Sequence, residues 1–141
     1  MASRRKKIKY LSFQVGTSWF ALPIASIEGV APSAEMVAIP GNASRVSLGI
    51  VYVLGQLMTV VDIAPLFNLG SLRDAQQFLV FQRGRDYYAV RVTAVGDIID
   101  GSQAREVRKS AVSCAQRSVT HRKRTIRLLD HELLIRDYVC K

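Results

Sequence analysis

The chain repeats itself. Shifted by 68 residues, Phe13-Gln14-x-Gly16 falls on Phe81-Gln82-x-Gly84, and the register then holds without gaps. Trp19-Phe20-Ala21-Leu22 meets Tyr87-Tyr88-Ala89-Val90, Ile24 meets Val92, and Ile27 meets Val95. Far downstream, Met58-x-Val60-Val61-Asp62 meets Ile126-x-Leu128-Leu129-Asp130 at the same shift. One supersecondary unit is therefore used twice. A unit of roughly 70 residues has a marginal core of its own, so the copies should share a hydrophobic interface.

Each copy opens with a hairpin pattern of β-prone residues around a short polar segment containing glycine. The first predicts strands over Lys9 to Val15 and Trp19 to Ile24 around Gly16-Thr17-Ser18. The second predicts Phe78 to Arg83 and Tyr87 to Val92 around Gly84-Arg85-Asp86. Gly16 and Gly84 stand where a turn needs positive φ. A later strand pair, Leu48 to Leu54 and Leu57 to Ile63, encloses Gly55-Gln56. Its counterpart, Ser118 to His121 and Thr125 to Leu129, encloses Arg122-Lys123-Arg124. Asp62 can cap a short helix through Ala64-Pro65-Leu66-Phe67, and Asp130 a longer one from Glu132 to Tyr138. Asn68 to Ala75, polar and glycine-containing, reads as the link between copies. Short strands and turns, twice over, give an all-β class of two small packed barrels.

At 141 residues there is room for one domain of two lobes: a basic tail, residues 1–9, and a single folded unit, residues 10–141. No apolar run reaches the roughly 18 residues of a membrane-spanning helix. The basic start lacks the apolar core of a secretion signal. Cys114 and Cys140 have no close metal or redox spacing. A reduced cytoplasmic setting follows as the expectation. The net charge of +9 is concentrated at the ends: residues 1–9 carry five basic and no acidic groups, residues 105–141 ten basic and four acidic. Between them the chain holds five basic and seven acidic groups, so the body is slightly acidic.

With the repeat laid out, the residues resemble the CheW coupling proteins of bacterial chemosensory pathways. Phe13-Gln14-Val15-Gly16 with Phe20-Ala21-Leu22-Pro23-Ile24 is similar to that family's opening hairpin. So are Ile39-Pro40 before Val46-x-Leu48-Gly49-Ile50-Val51, and Leu54-Gly55-Gln56-Leu57-Met58-Thr59-Val60-Val61-Asp62-Ile63. Val90-x-Val92 with Val95-Gly96-Asp97-Ile98 fits its second-barrel motif. The resemblance runs from about Tyr10 to Tyr138. It implies two SH3-like five-stranded β-barrels sharing a core, with short helices. It implies a non-catalytic adaptor that joins a methyl-accepting chemoreceptor or related receptor to the regulatory domain of a CheA-like histidine kinase. On that basis Ile27, Glu28, Gly29, Val30, Leu48, Gly49, Leu54 and Gly55 form the expected partner-binding surface. Three positions depart from the family: Gly29 replaces its usual acidic residue, Leu54 its usual arginine, and Thr93 a common aspartate.

The residues offer no catalytic, cofactor or metal site. Asp62 and Asp130 stand where carboxylates cap helices rather than do acid–base work. His121 and His131 lie ten apart, with Cys114 and Cys140 further out, and no pair has close zinc spacing. No GxSxG elbow and no phosphate-binding glycine loop is present. Of each aromatic pair, Trp19-Phe20 and Tyr87-Tyr88, one ring should face the core and one the opposite side. Arg117, Arg122, Lys123, Arg124 and Arg127 form the densest basic cluster. They motivate the rival reading, a basic barrel that binds nucleic acid or anionic membrane with steep salt dependence.

Overall fold

The computed structural model describes residues 8–32, 46–69, 77–107 and 110–139. Ile39, Pro40 and residues 1–7 and 70–76, which include most of the expected tail and linker, lie outside the described residues. The strands are β1 (Lys9–Val15), β2 (Ser18–Pro23), β3 (Ile27–Pro32), β4 (Ser47–Val53), β5 (Gln56–Val61), β6 (Gln77–Arg83), β7 (Asp86–Val92), β8 (Ala94–Asp100), β9 (Arg105–Glu106), β10 (Arg117–His121) and β11 (Arg124–Leu128). A single α-helical turn, α1 (His131–Leu134), runs on into a π-helical turn over Ile135–Val139. The strands of the two copies correspond at the 68-residue shift, β1 with β6 end to end.

The copies do not fold side by side; they interlock. One sheet has the order β8-β1-β2-β11-β10-β9 and the other β3-β6-β7-β5-β4. The β1–β2 hairpin of the first copy pairs with β8 and, in parallel, with β11, both from the second copy. Reciprocally, the β6–β7 hairpin of the second copy pairs with β3 and, in parallel, with β5 of the first. Each sheet thus takes its central hairpin from one copy and its flanks from the other. The all-β class of two lobes around a common core stands, as sheets of five and six strands that curl without closing into full barrels.

Burial follows from this exchange. A central core joins both sheets and contains Phe13, Phe20 and Leu22 from one and Leu79, Phe81 and Val90 from the other. Each sheet then curls around a smaller core on its far face: Val51, Met58, Val60, Phe78 and Val80 in the first lobe, and Tyr10, Ile99, Val119, Ile126 and Leu128 in the second. Successive strand residues point to opposite faces. On β6, Phe78 and Val80 therefore serve the first-lobe core while Leu79 and Phe81 serve the shared one. Such strands are buried on both faces, which is why they read as continuous apolar runs. The aromatic pairs divide as expected. Phe20 and Tyr88 enter the shared core, while Trp19 and Tyr87 pack half-buried against the lobe cores.

The hairpin ends differ from expectation: all four turns are two residues long, and Ser18, Asp86 and Arg124 already belong to strands. Gly16 and Gly84 do sit at positive φ, 61° and 62°. In the β4–β5 hairpin, however, Val53 pairs with Gln56, so the turn is Leu54-Gly55 rather than Gly55-Gln56. Both turn residues have positive φ, 51° and 78°. That is the requirement of the type I′ turn, whose twist matches the strands. Likewise Arg122 and Lys123, at φ 51° and 63°, form the β10–β11 turn, and Arg124 begins β11.

The aspartates act as caps. Asp62 Oδ1 accepts a 2.9 Å bond from the Ala64 N–H, and Asp130 Oδ1 accepts from the Glu132 and Leu133 N–H groups at 3.0 and 3.2 Å. Asp130→Ala is expected to cost about 1 kcal/mol of stability in urea denaturation, because two backbone donors lose their acceptor.

Candidate partner-binding surface

The β4–β5 hairpin carries the most exposed apolar side chains of the described residues. Along β4 the alternation sends Val51 and Val53 into the first-lobe core and Ile50 and Tyr52 outward. Here the outward residues are apolar too. Tyr52 is 67% exposed, its cross-strand partner Leu57 70%, and Leu54 at the turn 58%. Among the described residues β4 is an edge strand, with no neighbouring strand on its outer side. Grouped apolar side chains at a sheet edge mark a contact surface rather than a scatter of single exposed residues.

Leu54 is also held in the left-handed region, which disfavours any residue with a Cβ by roughly 1–2 kcal/mol. Asparagine or glycine would fill that turn position more cheaply. A costly conformation retained at an exposed apolar residue points to a role outside folding. Leu54 reaches across to β3, at the other edge of the sheet: a Cβ built on Gly29 would stand 3.2 Å from Leu54 Cδ1. Beneath it lies a pocket of about 230 Å³ lined by Glu28, Leu54, Gln56, Met58, Val80 and Tyr87.

The eight expected surface residues are placed unequally. Glu28, the extra residue of a bulge between Ile27↔Phe81 and Gly29↔Val80, is exposed and shares the pocket with Leu54; Gly29 adjoins Leu54, and Gly55 beside it in the turn is exposed. Val30 is exposed as well. Ile27 packs half-buried against the shared core, Leu48 against the first-lobe core, and Gly49 is buried. Ile50, Tyr52 and Leu57 were not among the expected residues. The unbroken run Ile50-Val51-Tyr52-Val53 signals two apolar faces, and only the fold shows that the face of Ile50 and Tyr52 meets solvent.

The second lobe carries opposite chemistry on the same frame. Counted 68 residues on, Gly29 becomes Asp97 and Leu54 becomes Arg122. Asp97 Oδ2 lies 3.4 Å from Arg122 Nη1 and 3.2 Å from His121 Nε2. An acid and an arginine thus meet at the second tip where a glycine and a leucine meet at the first. Exposed pairs of this kind contribute only about 0–1 kcal/mol, so their main effect is on what the surface attracts. Thr93, at the third departing position, accepts a 3.0 Å bond from the Gly16 N–H and so steadies the β1–β2 turn.

Cys114 has a structural setting. It is buried in the shared core, and that burial pushes its thiol from the ordinary 9.0 up to about 12. The thiol stays protonated and unreactive near neutrality. Alkylation of the folded protein at pH 8, mapped by mass spectrometry, should leave Cys114 unmodified until urea unfolds the chain. Because the unfolded thiol ionises first, this group's contribution to stability is intact below pH 9 and is lost progressively from pH 9 towards 12. Among the described residues no three His, Cys, Asp or Glu side chains gather as metal ligands, and no helix is long and apolar enough to cross a membrane.

Two interlocked β-lobes around a shared core, one ending in an apolar tip and the other in a charged one, define a small two-lobed all-β domain. The chain belongs to the CheW-like domain family, which matches residues 9–139. Among solved structures, the scaffolding protein TtCheW from Thermoanaerobacter tengcongensis has a similar fold. Its TM-score is 0.75 at 16% identity, over 88% of this chain and 89% of that one. No curated protein sequence matches the chain.

Proposed function

We propose that this protein is a non-catalytic chemosensory adaptor that couples a chemoreceptor-like protein to a CheA-like histidine kinase. The observation that carries this reading is the apolar tip of the first lobe, with Leu54 held at positive φ between exposed Tyr52 and Leu57. Membership of the CheW-like family supports it, as does the fold shared with a scaffolding protein. In this proposal the tip docks on the kinase's regulatory domain, and the adjoining β3 residues Ile27, Glu28, Gly29 and Val30 face the receptor-like partner. The adaptor then works by binding the kinase's active and inactive arrangements unequally, since differential affinity is what shifts an equilibrium. Its setting is the cytoplasmic side of a receptor array.

The same apolar chemistry distinguishes this proposal from a nucleic-acid or membrane role. Binding through aromatic and aliphatic anchors resists salt, whereas phosphate contacts weaken steeply as salt rises. The test is capture of a CheA-like regulatory domain from the same cell by the immobilised full chain. The wild type should retain it in 0.1 M and in about 0.5 M salt, a range over which exposed charges become screened. Failure at both concentrations contradicts the proposal.

A further inference from the structure

We propose that the groove between β2 and β11 in the second lobe is a phosphoryl-binding site. This groove has a volume of about 410 Å³, within the roughly 300–1,000 Å³ range of ligand pockets. Two arginines line it, and each lies over an aromatic ring. The Arg124 guanidinium carbon is 4.4 Å from the Trp19 ring centroid, and that of Arg127 is 5.0 Å from the Phe67 centroid. At such distances the ring quadrupole holds the cation, while the in-plane N–H fork stays available to an oxyanion. The Trp19 platform is itself fixed, because its ring closes over Gly96 so tightly that a Cβ there would come within 2.6 Å.

Among the described residues the lining joins donors to apolar side chains, Phe20, Phe67 and Leu69 among them. Thr17, Ser18 and Thr125 add hydroxyls, and none of the described lining residues is a carboxylate. Among the described residues neither Arg124 nor Arg127 makes an ion pair. Two guanidiniums with hydroxyl donors match a phosphoryl group, which carries about −1.5 to −2 charge at neutral pH, better than a single carboxylate. Lys123 on the adjoining turn adds to the local attraction for anions.

The repeat supplies its own control. Shifted by 68 residues, Arg124 becomes Gln56, Arg127 becomes Thr59, Ser18 becomes Asp86 and Phe67 becomes Ile135. The first lobe has the same parallel junction, β5 with β7, but carries no such pair of arginines. The cations therefore belong to this position and are not a by-product of the architecture. The site is separate from the apolar tip and does not depend on the adaptor proposal.

Trp19 is the chain's single tryptophan, so its fluorescence reports on the groove directly. The full chain is titrated with inorganic pyrophosphate and with a phosphoserine peptide, each against sodium chloride at equal ionic strength. A saturable change with a phosphoryl compound and none with chloride is expected. Tighter binding of the peptide assigns the group to a phosphorylated partner; equal or tighter binding of pyrophosphate assigns it to a free ligand. Arg124→Gln combined with Arg127→Thr, the residues of the other copy, should weaken binding by about tenfold or more, as loss of charge-assisted bonds does. Lys123→Gln should have a much smaller effect. No saturable change, an equal response to chloride, or unaltered affinity in the double variant would overturn the assignment. Should that variant not fold, amide shifts of the wild type confined to Thr17, Ser18 and Thr125 support the site, and shifts elsewhere overturn it.

Discussion

Phe81→Ala should lower the unfolding free energy by about 3–5 kcal/mol and bring both lobes down in one transition. Phe81 lies on β6 in the first-lobe sheet, yet its fully buried ring belongs to the core that joins the two sheets and stacks on Tyr88 at 5.4 Å between centroids. Removing it opens a cavity in the core that Phe13 and Phe20 of the second-lobe sheet also occupy. The exchange of hairpins strengthens the coupling, because neither sheet can open without releasing strands of the other copy. The measurement is urea denaturation followed both by circular dichroism and by Trp19, which sits in the other lobe. Coincident transitions, both displaced by the substitution, are expected. A Trp19 transition left at its wild-type midpoint would mean that the lobes unfold independently.

At the apolar tip, stability and binding should move apart. Leu54→Asn creates Asn-Gly, the preferred pair for a type I′ turn, and removes a branched side chain from the left-handed region. It should leave stability unchanged or raise it by about 1 kcal/mol. Leu57→Asp changes a residue that is 70% exposed, and its stability effect should stay within about 0.5 kcal/mol. Both should weaken kinase-domain binding, Leu57→Asp by about 2 kcal/mol, or roughly thirtyfold, since it sets a charge in the centre of an apolar contact. Thermal melting and calorimetric titration of each variant give the two readouts. A variant that binds normally while folding normally contradicts the docking surface.

Much of this molecule is legible in its sequence, and the gaps have physical causes. The hairpins were readable because glycine at positive φ and alternating β-branched residues are local signals, and Gly16 and Gly84 carry both. The interlocking was not. A 68-residue shift says that two segments are alike, but the parallel pairings Ile126↔Trp19 and Val60↔Ala89 join residues far apart and leave no local trace. The turn at Leu54-Gly55 was misplaced by one residue because a leucine in the left-handed region breaks the steric preference on which turn assignment rests. Tyr52 and Leu57 resemble core residues until the outer face of the β4–β5 hairpin is seen to be exposed. Arg124 reads as a turn cation, and only the β2–β11 junction brings it over Trp19.

The most direct test of the adaptor proposal is calorimetric titration of the full chain with a CheA-like kinase regulatory domain from the same cell, at low and at high salt. Micromolar or tighter binding that persists in salt, with a negative heat-capacity change from buried apolar surface, is the expected result. Absence of binding at both salt concentrations would contradict the proposal and turn attention to the basic second lobe and its proposed phosphoryl site.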